Sequence, residues 1–252
     1  MIDEHRWAEV RNFRELGIQV YQTDDIHYFI DKNGISPLKS SPYDTITCRV
    51  GNNLLAVSFG TYGEEGFLID PITNKSSRKF NLPYRGCSAV VEFLNELWII
   101  GGLKICNDRV LRTTKTVQTY NLHDRSHFIS PVKMLHARDR HKAIVYDGKL
   151  FVFGGANNGV ALNSVEMYSR ETNKFVIMAP MKIARYNFAC CRVKNLVYVI
   201  GGVNDSSNNY LETYLNSVEI YNLDTNRWGS GVDFPYCENI IFLNACPIEI
   251  TE

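Results

Sequence analysis

One pattern runs three times through the middle of this chain, and it constrains the fold more than any other feature. A short apolar strand ends in two glycines: LWIIGG at 97–102, LFVFGG closing on Gly154 and Gly155, and VYVIGG closing on Gly201 and Gly202. The first pair is Gly101 and Gly102, so the copies stand 53 and 47 residues apart. A glycine pair after a strand can open a phosphate-binding loop, but such a loop occurs once per domain and leads into a helix. Here each pair leads into polar, Asn-rich or β-branched sequence (LKICNDRVLRTTKTVQTY, ANNGVALNSVEMY, VNDSSNNYLETYLNSVEIY) that resolves into another strand. Self-similarity at this period marks stacked structural units.

The register extends on both sides. An arginine stands sixteen residues before each first glycine (Arg85, Arg138, Arg185), and a turn former six before it (Asn95, Gly148, Asn195). Strand-like segments lie between them, so each unit begins strand, tight turn, strand, Gly-Gly. Downstream comes a tyrosine, Tyr120, Tyr168 or Tyr221. In the last two units six residues separate it from Phe175 or Trp228, across turns that share Thr172-Asn173 and Thr225-Asn226. In the first, His127 takes that slot with Phe128 beside it. Four strands in about fifty residues make one propeller blade.

The units resemble kelch repeats: strand, Gly-Gly, SVE-x-Y, six residues, an aromatic, then PM and Arg. NSVEMYSRETNKFVIMAPMKIAR and NSVEIYNLDTNRW carry the pattern most fully, and the match covers residues 85–236. The resemblance implies an all-β propeller of four-stranded blades. An earlier unit is readable too: NNLLAVSFG aligns with NELWIIGG, with Asn52 in the turn slot, Ser58 and Phe59 replacing the glycines, and Thr73-Asn74 on the shared turn. LGIQVYQT, IHYFID and ISPLKS read as three strands lacking a first one, and ENIIFLNACPIEI as a first strand with no blade after it. Joining the two lets the C-terminal strand close the ring and removes sticky sheet edges. The expectation is a propeller over 17–250 with five blades (17–43 plus the tail, 44–84, 85–138, 139–185 and 186–236), six being the alternative count. Residues 1–16 fit no blade; Trp7, Val10, Phe13 and Leu16, with Asp3 as a cap, predict a short helix.

Composition narrows the function. Of 252 residues, 27 are Lys or Arg and 27 Asp or Glu, giving a formal net charge of zero. Nucleic-acid binders usually carry a basic excess. No apolar run approaches the ~18–20 residues that cross a bilayer, and charges interrupt the N-terminus where a signal peptide would need an apolar core. The seven cysteines are odd in number, irregularly spaced and without C-x-x-C, as expected of reduced thiols in a cytoplasmic protein. No matched His/Cys spacing suggests zinc, so neither metal nor cofactor is expected.

The repeat residues, Gly101, Gly102, Gly154, Gly155, Gly201, Gly202, Tyr120, Tyr168, Tyr221 and Trp228, read as scaffold. The arginines sixteen before the glycines read as bridges between blades, since a five-donor fork suits carbonyls and carboxylates. Function then falls to the loops after the glycine pairs. They differ in length: eighteen residues from Gly102 to Tyr120, thirteen from Gly155 to Tyr168 and nineteen from Gly202 to Tyr221. The first is basic, with Lys104, Arg109, Arg112 and Lys115; the last is polar and aromatic, with Tyr210 and Tyr214. The position fourteen before the first glycine holds Cys87, Arg140 and Asn187. In adaptor propellers that these units resemble, arginines near this position face the binding cavity, which makes Arg140 the leading candidate. The predicted partner-binding face comprises Lys104, Arg109, Arg112, Arg140, Asn187, Tyr210 and Tyr214.

The resemblance implies a protein-interaction module, as in the substrate-recognition propellers of kelch-like cullin-RING ubiquitin-ligase adaptors. Their BTB and BACK domains do not fit in sixteen residues, so this stretch is expected to recognise a partner without itself binding a cullin. An actin-associated kelch protein is a second reading. A propeller enzyme is a weaker third, because the six histidines are scattered and no triad is suggested by spacing. Nucleic-acid binding is disfavoured by the neutral charge and by the lack of stacking aromatics in the basic loop. Neither membrane association nor oligomerisation is expected.

Overall fold

The computed structural model describes residues 85–106, 110–121, 126–205 and 213–233 with their side chains (His127 excepted). It describes eight strands between residues 7 and 81, and the strand Leu243–Pro247, by their backbone. The repeats become four-stranded antiparallel sheets, each a propeller blade. Three of them share one strand order: Ala89–Phe93, Glu96–Ile100, Thr116–Asn121 and His127–Lys133; Lys142–Tyr146, Lys149–Phe153, Val165–Ser169 and Lys174–Met178; Ala189–Val193, Leu196–Ile200, Val218–Asn222 and Arg227–Ser230. The weak earlier repeat is a fourth: Thr45–Val50, Asn53–Gly60, Gly63–Ile69 and Ser76–Asn81.

The aligned aromatic slots meet across the ladders, as Tyr120↔His127, Tyr168↔Phe175 and Tyr221↔Trp228. The tyrosine hydroxyls explain the Thr-Asn turns. Tyr168 donates to Asn173 Oδ1 at 2.7 Å and Tyr221 to Asn226 Oδ1 at 2.6 Å, and both asparagines sit at positive φ. Phe128, beside the His127 slot, is 58% exposed and takes no part in the core.

Blades pack face to face, so their second strands are buried on both sides. Leu150 and Val152 join Phe93, Trp98, Ile100 and Val117 of the preceding blade in one cluster. Phe151 and Phe153, alternating with them, join Phe188, Val197, Val199 and Tyr221 of the following blade in another. First strands succeed one another around the axis in chain order. Thr45–Val50 lies beside Ala89–Phe93, then come Lys142–Tyr146 and Ala189–Val193, and Leu243–Pro247 lies against the last.

The glycine pairs sit where successive blades touch. Gly102 N donates to Arg138 O, and Gly155 N to Arg185 O. All six glycines have positive φ, and a Cβ on Gly102 would lie 2.6 Å from Gly86 O. Buried arginines lock the same junctions. Arg138 donates through Nη1 to the Gly154 and Ser164 carbonyls and through Nη2 to Ser164 Oγ and Glu166 Oε1. Glu166 in turn accepts from the amides of Leu135 and His136, which lead out of the preceding blade. Arg185, Ser217 and Glu219 repeat the arrangement, with the amides of Lys182 and Ile183.

The termini differ from expectation in two respects. The tail strand Leu243–Pro247 does pair with Ile18–Thr23, Ile18 opposite Pro247 and Gln22 opposite Leu243. However, the other edge of Ile18–Thr23 is taken by Trp7–Phe13, so the predicted N-terminal helix is a strand. Tyr28–Asp31 and Gly34–Pro37, read as outer strands of that blade, form a two-stranded hairpin of their own. Of the four apolar residues at helical spacing, Trp7, Val10 and Phe13 fall in this strand, which is bulged between Glu9 and Arg11. An open sheet edge beside them, which no local spacing reveals, decides for the strand.

Candidate partner-binding face

Each glycine pair is followed by a small hairpin standing off the blade. The strands are Leu103–Ile105 with Leu111–Thr113, Ala156–Asn157 with Val160–Ala161, and Val203–Asn204 with Thr213–Tyr214. Each hairpin is rooted by a bridge to the loop entering its own blade: Gly86↔Leu103, Asp139↔Ala156 and Tyr186↔Val203. Side chains lace the hairpins together. Thr113 Oγ1 lies 2.8 Å from Asn157 Oδ1 and 3.0 Å from Asn158 Oδ1, and Ala161 N donates to Asp205 Oδ1 at 2.9 Å. The result is a continuous rim at one end of the blades. In the 45–81 blade the second and third strands stay paired through to Gly60 opposite Gly63, with no hairpin between them.

Inside the rim, Cys87, Arg140 and Asn187 all have left-handed backbones, with φ of 54°, 52° and 54°. Arg140 N donates to Cys87 O at 2.8 Å and Asn187 N to Arg140 O at 3.2 Å, so one loop hands a hydrogen bond to the next around the mouth. Non-glycine residues held at positive φ by their neighbours are costly, and such positions concentrate at functional sites.

Arg140 is the most organised side chain of the three. Its Nε donates to Asp139 Oδ1, and its guanidinium lies over the Tyr186 ring at 4.2 Å from the centroid. Asp139 and Tyr186 are themselves buried. Burial pushes the Asp139 carboxyl up, against the pull of Arg140; burial works against the Arg140 charge too, but Asp139, Tyr186 and Cys87 outweigh it and raise its pKa. With Nε bonded and one face of the guanidinium against Tyr186, the two terminal nitrogens are left as the donor pair, a chemistry that suits a carboxylate or phosphate.

The other predicted face residues separate. Lys104 and Arg112 stand opposite one another on the first hairpin, both exposed. Asn187 belongs to the mouth with Arg140. Tyr214 is half-buried against Ala156, Ala161, Tyr186 and Val203, so it props the third hairpin as much as it lines the face. Arg109 and Tyr210 lie outside the described residues. Sequence reasoning passed over Asp139 and Tyr186, although both occupy the repeat position fifteen before the glycine pair. It also passed over Ile105, Leu111 and Val160, apolar residues 59%, 47% and 63% exposed on the rim. Among the described residues no group of three His, Cys, Asp or Glu is placed to hold a metal ion, and Cys87, Cys106, Cys190 and Cys191 are free of disulfides. No helix among them is long and apolar enough to cross a membrane.

Residues 73–232 match the family model described as the KLHDC2/KLHL20/DRC7 Kelch-repeats domain. The chain belongs to the kelch-repeat family. Among curated proteins this kelch domain is similar to human Kelch repeat and BTB domain-containing protein 12, 28% identical over 165 residues that are 60% of this chain and 26% of that protein. Human Kelch-like protein 28 is 40% identical over 80 residues, 30% of this chain and 14% of that protein. Alpha-scruin of Limulus polyphemus is 29% identical over 143 residues, 56% of this chain and 16% of that protein. The chain thus spans about a quarter or less of the length of these relatives. A solved structure, that of YjhT, superposes with a TM-score of 0.65 at 12% identity, over 76% of this chain and 65% of that one, and shares the β-propeller fold.

Proposed function

We propose that this kelch domain is a protein-binding module that recognises a partner through its hairpin rim and channel mouth, with Arg140 as the anchoring cation. The observation that carries this reading is the Arg140 side chain, held by Asp139 through Nε and by the Tyr186 ring. A fixed arginine loses little entropy on binding, and arginine is enriched among residues that dominate interfaces. The similarity to relatives named for BTB and F-box modules alongside kelch repeats supports a finer version. In it the domain is the substrate-recognition part of a cullin-RING ligase adaptor, and the ligase is recruited by something other than this propeller.

Affinity purification from cells tests the reading, comparing the wild-type chain with Arg140→Ala, Arg109→Ala, Arg112→Ala and Tyr210→Ala. Arg140→Ala is expected to deplete a specific set of partners by about tenfold, the equivalent of roughly 1.4 kcal/mol. A partner list unchanged by every variant overturns the choice of face. Cosedimentation with filamentous actin separates an actin-associated role from substrate recognition.

A further inference from the structure

The three hairpins make two notches between neighbours, built alike and filled differently. Between the second and third, Ala156, Ala161 and Val203 are 0%, 8% and 1% exposed and pack with Tyr186, and Tyr214 lies against them. Small side chains have closed that notch from within.

Between the first and second, the registers set a different stage. In the first hairpin Leu103 lies opposite Thr113 and Ile105 opposite Leu111, so these four share a face, while Lys104 and Arg112 share the other. Thr113 bonds to Asn157 and Asn158, which turns the aliphatic face toward the second hairpin. There Val160 lies opposite Asn157 and shares its face. The Thr113–Asn157 contact is thus the floor of a notch with Ile105 and Leu111 on one wall and Val160 on the other. All three aliphatic side chains are about half exposed or more. The rim has filled the notch between the second and third hairpins and left this one open.

Charge says what suits it. The stretch from 103 to 115 carries Lys104, Arg109, Arg112 and Lys115 against a single Asp108, and the second hairpin, from 156 to 162, carries no charge. The notch is therefore an apolar slot in a positive field, in a chain whose net charge is zero. Apolar contact supplies affinity here, and the surrounding charges select the partner and speed its arrival. We propose that the notch between the first two hairpins binds an acidic protein segment by taking up one aliphatic side chain between Leu111 and Val160. Lys104 and Arg112, on the hairpin's other face, and Lys115 supply the positive field that favours the segment's flanking carboxylates. The proposal rests on the reading of the rim as a protein-binding face and adds the chemistry of the partner.

The test uses the whole chain and three immobilised dodecapeptides: one rich in Asp and Glu around a single leucine, one with that leucine changed to serine, and one with the acids changed to lysine. The wild type is expected to prefer the first over either of the others by about tenfold. The double variant Leu111→Ser/Val160→Ser should lose the leucine preference, and Lys104→Glu/Arg112→Glu should transfer preference to the lysine peptide. These positions are exposed, so circular dichroism and thermal melts should match the wild type. No preference by the wild type for leucine or for acid overturns the proposal. If the preference survives the notch variants but is lost in Arg140→Ala, the notch is wrong and the binding face stands. If it survives all of them, the face falls as well. A concentration-dependent dimer that disappears in Leu111→Ser would mean that a second copy covers the notch, and would overturn the assigned occupant.

Discussion

At the scale of single residues, the buried arginines show how a repeat motif carries energy. Arg138 and Glu166 are fully buried and serve each other, the preceding blade's turn and the glycine carbonyl at once. Burial works against the Arg138 charge, with Glu166 opposing; Glu166, though desolvated, is held below its ordinary value by Arg138 and by the two amides. Glu166→Ala strands a buried cation and should cost about 3–5 kcal/mol in chemical denaturation. The first repeat lacks this device. Gln118 replaces the glutamate, and in the sequence the repeat position of His136 and Ile183 holds Pro83, which has no N–H. Arg85 keeps one bond, to Thr116 Oγ1, while its Nε and Nη1 and the Gln118 carbonyl find no partner among the described residues. Gln118→Glu should therefore raise stability, by roughly 1.5–3 kcal/mol, the value of a charge-assisted hydrogen bond.

His141 gives a pH signature. It is buried, its ring nitrogens find no hydrogen-bond partner among the described residues, and it is pushed well below 6.5 by burial, Arg138 and Lys142, against an opposing pull from the Ile100 carbonyl. The unfolded chain takes up this proton near pH 6.5 and the folded one does not, so stability falls as pH drops below about 6.5. The Glu166 contribution is present above its ordinary value of 4.5 and is lost only as pH falls through its lower folded value. Phe188 occupies the equivalent place in the next blade. His141→Phe should flatten the melting temperature between about pH 5 and 6.5 and leave the steeper acid limb below it.

At the scale of elements, glycines that look alike in sequence differ in what they do. A Cβ on Gly102, at φ +85°, would meet Gly86 O at 2.6 Å and Ser88 Cβ at 2.8 Å. Gly102→Ala should cost about 3 kcal/mol or more and loosen the blade contact, visible in hydrogen exchange at Leu103 and Arg138. Gly148, at φ +64°, has nothing within 4 Å of a Cβ, and Asn95 fills the same turn slot at φ 61°. Gly148→Asn should leave the melting point nearly unchanged, since asparagine tolerates this backbone. Repetition made the turn slots and the aromatic pairs legible. The hairpin registers were not, because two- and three-residue strands have no periodicity to read.

At the scale of the whole molecule, the tail strand is the weightiest feature. It pairs with Ile18–Thr23 and lies against Ala189–Val193, so it joins the two ends of the chain. Deleting 237–252 exposes one strand's hydrogen-bonding edge and one blade's face together. The expected outcome is a truncated chain that aggregates or unfolds at least ~10 °C lower, by light scattering and thermal melt. An equally stable truncation would show that the strand is dispensable.

The sequence by itself determined the blade. Four strands, their turns, the glycine junction and the aromatic pairs follow from spacing that recurs three times, because each unit must bury the same faces on its neighbours. Spacing placed Arg140 at a repeat position, and the resemblance to adaptor propellers, which carry arginines near it, made it the candidate. Only the tertiary structure decided what surrounds that place. Asp139 and Tyr186 fix the Arg140 fork from two different blades, and the notch by Leu111 lies between two hairpins whose facing sides are set by register. The N-terminal strand belongs to the same class, since an unpaired edge brought up by the fold outweighed local spacing. Contacts across the repeats depend on how the units close on one another, and that closure is not written in any one of them.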